Sequence, residues 1–165
     1  MFKKLFGQKK NDKEVKLVAA LTGEIIPIER VEDPVFAQKM AGDGLAIVPT
    51  QGEVVAPISG KVTHLFDTHH AIGITTKEGL EILIHIGIDT VKLDGKGFNA
   101  YVEVGDEVKQ GERLITVDLN LLKESGFAIS TPIVITNGEV VAEQKVLATG
   151  NVIAGEDEIL SILLK

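Results

Sequence analysis

The sequence predicts an all-β protein, a sandwich or a barrel, carrying only short helical turns. Three observations predict it. Apolar residues alternate with period two, most regularly over residues 81–90, where Ile82, Ile84, Ile86 and Ile88 share one face and Leu83, His85, Gly87 and Asp89 the other. Seventeen glycines, several followed by Asp or Glu, supply frequent turns between short apolar runs. Only two short stretches read as helical, and with aromatics at 4% the core must be aliphatic.

Taken in order, residues 1–15 stand apart as a tail. Phe2, Leu5 and Phe6 fall at i, i+3 and i+4 among lysines, an apolar stripe with a basic flank. The stripe is too short to span a bilayer. It suits either weak contact with a membrane surface or a plain solvated terminus. Residues 16–165 read as one domain, long enough to bury about two-thirds of its unfolded surface. Strands are predicted at 16–21, 23–28, 45–49, 52–57, 60–67, 71–75, 80–88, 101–104, 113–118, 131–135 and 161–164. Pro34 just inside the start of 33–39 marks a helical turn. Asp118 before Leu119, Leu121 and Leu122, with Gly126 as a stop, marks another. Gly105-Asp106-Glu107-Val108 echoes Gly155-Glu156-Asp157-Glu158-Ile159, and Thr22-Gly23 before a strand echoes Ser59-Gly60, as a repeat would, although generic turn chemistry gives the same pattern.

Composition narrows the function. A net charge of −7 argues against nucleic acid, which needs a basic face. There is no cysteine, hence no disulfide framework and no Cys-based zinc site, and no signal peptide is recognisable. These features predict a cytoplasmic protein, with the tail as the one feature suited to peripheral contact at the inner face of the membrane.

The chemistry concentrates in two histidines. His85 lies on the strand face opposite the aliphatic row, fixed by the strand and tunable near neutral pH. His70 precedes a second strand, and Thr76-Lys77-Glu78-Gly79 reads as a hairpin loop between the two. A link confined to residues 76–79 sets Thr75 opposite Leu80, Ile72 opposite Leu83 and His70 opposite His85, with Cβ atoms about 4.5–5.5 Å apart. A one-residue slip would put the histidines on opposite faces.

The run Leu83-Ile84-His85-Ile86-Gly87-Ile88-Asp89-Thr90-Val91-Lys92-Leu93, followed by Gly95-Lys96-Gly97-Phe98, resembles the phosphorylation-site region of IIA domains. These belong to the glucose class of the bacterial phosphoenolpyruvate-dependent sugar phosphotransferase system. Asp33-Pro34-Val35-Phe36-Ala37, Gly42-Asp43-Gly44-Leu45-Ala46-Ile47, Val55-Ala56-Pro57-Ile58-Ser59-Gly60, His70-Ala71 and Val104-Gly105-Asp106-Glu107-Val108 are similar to family segments in the same order. The resemblance covers roughly residues 16–165. It implies an antiparallel β-sandwich of the duplicated barrel-sandwich hybrid type. It implies a phosphocarrier that accepts a phosphoryl group from phospho-HPr on His85 and passes it to a IIB domain for coupled sugar uptake. His70 is then the supporting histidine, Thr68 its hydrogen-bond partner, and Asp89 a carboxylate on the rim. Phe36, Phe66, Ile72, Leu83 and Val91 match an apolar patch that docks HPr and IIB. The IIB carrier uses a cysteine, so this chain cannot contain that domain. The resemblance further implies regulation of permeases or kinases by phosphorylation state. No cofactor is required, though zinc shared by His70, His85 and a partner's carboxylate fits some family complexes.

Two other functions compete. His85 and Asp89 form an H-x-x-x-D pattern, as in zinc peptidases of related fold. No H-x-H accompanies it, and residues four apart on a strand lie roughly 13 Å apart. A biotinyl or lipoyl carrier modifies a hairpin-tip lysine; Lys77 is at a tip but lacks flanking methionines.

Overall fold

The structure, a computed structural model, describes residues 13–165. The tail stripe at Phe2, Leu5 and Phe6 lies outside the described residues. The fourteen strands among the described residues are β1 (Glu14–Val18), β2 (Gly23–Pro27), β3 (Asp43–Pro49), β4 (Glu53–Val55), β5 (Gly60–Leu65), β6 (Ala71–Thr75) and β7 (Glu81–His85), then β8 (Phe98–Ala100), β9 (Glu107–Val108), β10 (Arg113–Val117), β11 (Thr131–Ile135), β12 (Val141–Val146), β13 (Gly150–Val152) and β14 (Glu158–Leu164). The described α-helices are α1 (Pro34–Ala37) and α2 (Leu119–Glu124). Both begin as the sequence predicts: the Asp33 and Asp118 side chains accept from the backbone N–H of Val35 and Leu121.

Every strand pair is antiparallel. An eight-stranded sheet runs β13-β2-β3-β11-β7-β6-β5-β9, and two three-stranded sheets run β1-β14-β12 and β4-β10-β8. This is the predicted all-β antiparallel sandwich. Its main core is aliphatic, as the scarcity of aromatics requires: Leu17, Leu45, Ile47, Ile72, Ile74, Ile82, Ile84, Leu114 and Ile133 are fully buried. A second, smaller cluster covers the other face of the large sheet. There Ala46 and Val134, alternating with the core residues of β3 and β11, meet Ile28, Val31, Phe36 and Ile88. Segment 28–41, wrapped over this outer face, positions the site.

The Gly-acidic echo is a real device. Gly105 N–H bonds the Val62 carbonyl and Val62 N–H the Asp106 carbonyl; Gly155 and Asp157 clasp Ala19 in the same way, and Gly111 and Glu112 clasp Ala56. In each turn the acidic side chain accepts from a backbone N–H at the start of the turn: Glu103 to Asp106, Ile153 to Asp157, Lys109 to Glu112.

Three predictions from sequence are corrected. Residues 101–104 form no strand; β8 lies just before them, and the clasp on Val62 draws the chain away from β10. Glu14 and Val15, predicted in the tail, belong to β1, pairing with Leu163 and Ile162. The strand predicted at 80–88 ends at His85, because Gly87 and Asp89 take left-handed conformations with φ of 72° and 61°. Ile86 therefore stays in the main core while Ile88 crosses to the outer cluster.

Candidate active site

His85 is the last residue of β7, half-buried where the chain leaves the ladder. Its Nδ1 is 2.8 Å from the Gly87 carbonyl oxygen. A carbonyl only accepts, so Nδ1 carries the hydrogen, and in the neutral ring Nε2 keeps its lone pair. Burial lowers the His85 pKa below the ordinary 6.5, opposed by the Gly87 hydrogen bond and by the charges of Asp33 and Asp89. Only a residue free to adopt positive φ can turn the chain tightly enough to bring this carbonyl back to the ring. A Cβ at Gly87 would sit 2.7 Å from Thr90 Cγ2 and 3.1 Å from the Ala128 carbonyl oxygen.

The predicted pairing of His70 with His85 is corrected: Ala71 stands opposite His85, and Ile72 opposite Ile84. The link runs over 76–80, closed by Thr76 N–H to the Leu80 carbonyl and Leu80 N–H to Thr76 Oγ1. The slip does not separate the rings, because both lie where the ladder ends. His69, with φ of 58°, turns the chain just before β6. The ring centroids of His70 and His85 are 5.0 Å apart, edge to face. Thr68 Oγ1 is 2.6 Å from His70 Nδ1, the partnership predicted from the resemblance. His70 is 3% exposed, and burial, reinforced by His85, lowers its pKa to about 4. Both imidazoles are therefore neutral at pH 7, with their Nδ1 atoms engaged and, among the described residues, no hydrogen-bond partner at Nε2.

The surrounding surface differs from the predicted patch. Ile72 is fully buried in the main core and cannot dock anything. It faces inward because the register pairs it with Ile84 rather than Leu83. Phe36, at 5% exposed, is a floor residue; its ring meets His85 at 5.0 Å. Phe66, Val91 and the half-buried Leu83 remain at the surface, with the Phe66 ring 5.2 Å from His70. Val35 and Met40, on and just after α1, are 44% and 70% exposed in the same segment that carries Phe36. The structure adds Asp33, whose charge acts on His85 while its side chain caps α1. Asp89 is exposed in the turn after Gly87, and reaches His85 through that turn rather than along a strand. His85 and Asp89 thus do not form the strand-borne pair of the peptidase pattern. Among the described residues no group of three or more His, Asp or Glu side chains gathers as a metal site.

Comparison with known proteins identifies this arrangement. The family described as phosphoenolpyruvate-dependent sugar phosphotransferase system, EIIA 1, matches residues 15–141. The chain belongs to this family. It is 49% identical over 163 residues to the PTS system glucose-specific EIIA component of Staphylococcus epidermidis, covering 98% of each chain. It is 48% identical over 165 residues to the protein of that name from Bacillus anthracis, covering 100% of each. Among solved structures it resembles glucose permease IIA from Mycoplasma capricolum, with a TM-score of 0.81 and 42% identity over 90% of this chain and 96% of that one. As an EIIA protein it is a phosphocarrier component of sugar uptake. Among the described residues no helix is long and apolar enough to cross a membrane.

Sequence reasoning missed Asp33 as an electrostatic neighbour of His85, and the exposure of Met40. Asp33 carried a signal, the residue before a helix-starting proline, but its charge acts across the fold. Met40 carried none, since a lone methionine past a short helix does not announce exposure.

Proposed function

We propose that this EIIA protein carries one phosphoryl group on His85 Nε2, taken from phospho-HPr and passed to a IIB domain on another chain. One observation carries this reading: His85 Nδ1–H is held by the Gly87 carbonyl, so a neutral ring presents its Nε2 lone pair at the surface. That lone pair attacks phosphorus as the bond to the donor breaks. Positive charge then develops on the ring, and the Gly87 carbonyl together with the carboxylates of Asp33 and Asp89 favours it. No proton need leave Nδ1. Onward transfer reverses these changes: the P–Nε2 bond breaks toward the IIB nucleophile and the ring returns neutral.

His70 supports the step. With the Thr68 hydroxyl donating to Nδ1, His70 holds hydrogen on Nε2 and donates it to a phosphoryl oxygen. Phe66, Leu83, Val91, Val35 and Met40 form the apolar surface for HPr and IIB, an exposure that a docking role explains. The printed names of the relatives point to glucose as the sugar served. A phosphoryl group adds about −1.5 to −2 charge to this surface, which supports a change in which permeases or kinases bind. Zinc shared with a partner's carboxylate would need the other His70 tautomer, with hydrogen on Nδ1 toward Thr68 Oγ1 and the Nε2 lone pair beside that of His85; zinc there would clamp an interface and has no part in the transfer.

The test is intact-mass spectrometry after incubation with phosphoenolpyruvate, enzyme I and HPr, omitting each in turn. One acid-labile phosphoryl group that requires all three and is lost in His85→Ala is expected. Retained acceptance in that variant would relocate the site. His70→Gln is expected to accept but to pass the group on poorly.

A further inference from the structure

Four ring contacts cross the outer face in one row: His64–Phe66 at 4.6 Å, Phe66–His70 at 5.2 Å, His70–His85 at 5.0 Å and His85–Phe36 at 5.0 Å. The last three belong to the site already described. The first does not, and His64 has had no role so far.

His64 reaches this row through a specific feature of β5. Val62 faces the core, so in a regular strand His64, two residues on, would face it too. The β5–β6 register shifts between Val62 and His64, and this irregularity leaves both Thr63 and His64 exposed. The residue opposite His64 is Gly73. A Cβ there would lie 3.1 Å from His64 Cβ, so the bare glycine leaves room for the ring to lean over β6. Beyond Gly73, the adjoining groove is otherwise lined by aliphatic Ile74, Ile82 and Leu83 and by polar Thr63, Thr75, Glu81 and Thr136. Thr63 and Thr75 bond each other, and Thr136 donates to Glu81. None of these supplies a ring. Phe66 is 37% exposed, so its seat against His70 depends on what flanks it.

We propose that His64 is a positioning residue for the histidine pair, holding the Phe66 ring edge-on against His70 so that His70 faces the phosphoryl group. The proposal rests on the reading of His85 as the phosphoryl-bearing residue. His64 acts through Phe66 and takes no part in the bond changes. Both contacts in the relay are tilted, at 69° and 62°, the arrangement in which a ring edge meets a ring face. A flat aromatic ring at position 64 can therefore replace the imidazole, whereas a methyl group cannot.

The test compares His64→Ala and His64→Phe with the unaltered protein in two measurements. One is transfer from the phosphorylated protein to a IIB domain. The other is the proton NMR spectrum of the His70 ring in the unphosphorylated protein, where ring currents report the seating of Phe66. His64→Ala is expected to lower kcat by about two- to tenfold, the size of one edge-on ring pair. KM for IIB should be unchanged and the His70 signals shifted, and His64→Phe should restore both. A raised KM with unchanged kcat would make His64 part of the docking surface and overturn the proposal. So would unshifted His70 signals in His64→Ala. If the unaltered protein takes no phosphoryl group at His85, the site reading fails, and the NMR comparison still decides whether His64 seats Phe66 against His70.

Discussion

Replacing Gly87 by alanine tests whether the turn after β7 sets up the nucleophile. Gly87 has φ of 72°, which costs an L-residue about 1–2 kcal/mol. The new methyl would meet Thr90 Cγ2 at 2.7 Å, the Ala128 carbonyl oxygen at 3.1 Å and Leu122 Cδ2 at 3.2 Å. Leu122 and Thr90 are fully buried, and the Thr90 hydroxyl is tied to the Ile86 carbonyl, so the surroundings cannot easily yield. Overpacking of this kind adds about 1–3 kcal/mol. The sum, about 2–5 kcal/mol, corresponds to a fall in Tm of roughly 4–20 °C for a chain of this size. Gly79 provides the control: its φ is 93° and a Cβ there meets nothing within 4 Å. Gly79→Ala should therefore cost only the backbone part, about 1–2 kcal/mol. Thermal unfolding of both variants isolates the packing part as their difference. Phosphoryl acceptance, read by intact mass, should survive Gly79→Ala and slow in Gly87→Ala, because moving the carbonyl releases His85 Nδ1. Equal costs for the two variants would refute the packing argument. Unslowed acceptance in Gly87→Ala would refute the role of the carbonyl.

Thr68→Val removes the hydroxyl beside His70 Nδ1 and leaves a buried nitrogen unpartnered, at a cost of about 1–3 kcal/mol; urea unfolding should show that loss, and transfer to IIB should slow while acceptance persists. Ile72→Ala should cost about 2–5 kcal/mol as a core cavity while affinity for HPr is unchanged. Val91→Ser or Met40→Ser should do the reverse, weakening HPr binding in titration calorimetry with little change in stability. For His70, the folded pKa of about 4 lies below the ordinary 6.5 of an unfolded chain. Between these values the unfolded chain binds more protons, so the contribution of His70 to stability is fully present above 6.5 and is lost as pH falls toward 4. Urea midpoints measured across that window should fall less steeply for His70→Gln than for the unaltered protein.

Much of this protein was legible in its sequence because the relevant signals are local. Strand-like runs set between turns located β6 and β11 to the residue, although β11 is buried on both faces and so carries no in-out alternation of burial. The Asp-capped starts of α1 and α2 rest on hydrogen bonds spanning two or three residues. His85, His70 and Thr68 were found from ordered motifs, and the structure brings all three together. Strand β12 escaped notice because its largely exposed residues carry no apolar row, and it exists through its pairing with β14.

What only the tertiary structure decided is where rings and faces end up. The hairpin register turned on whether Thr76 closes its loop at Gly79 or Leu80, a choice worth a hydrogen bond or two, yet it moved Ile72 from the expected docking patch into the core. The two histidines meet in spite of that register, because left-handed residues at His69 and Gly87 take the chain off the ladder at both ends of the contact. Asp33 reaches His85 only after segment 28–41 folds over the sheet. The sequence by itself determined which residues have the chemistry and which strands carry them, since composition and periodicity act over a few residues. Register, burial and charge proximity depend on the whole chain closing on itself, so only the fold decided them.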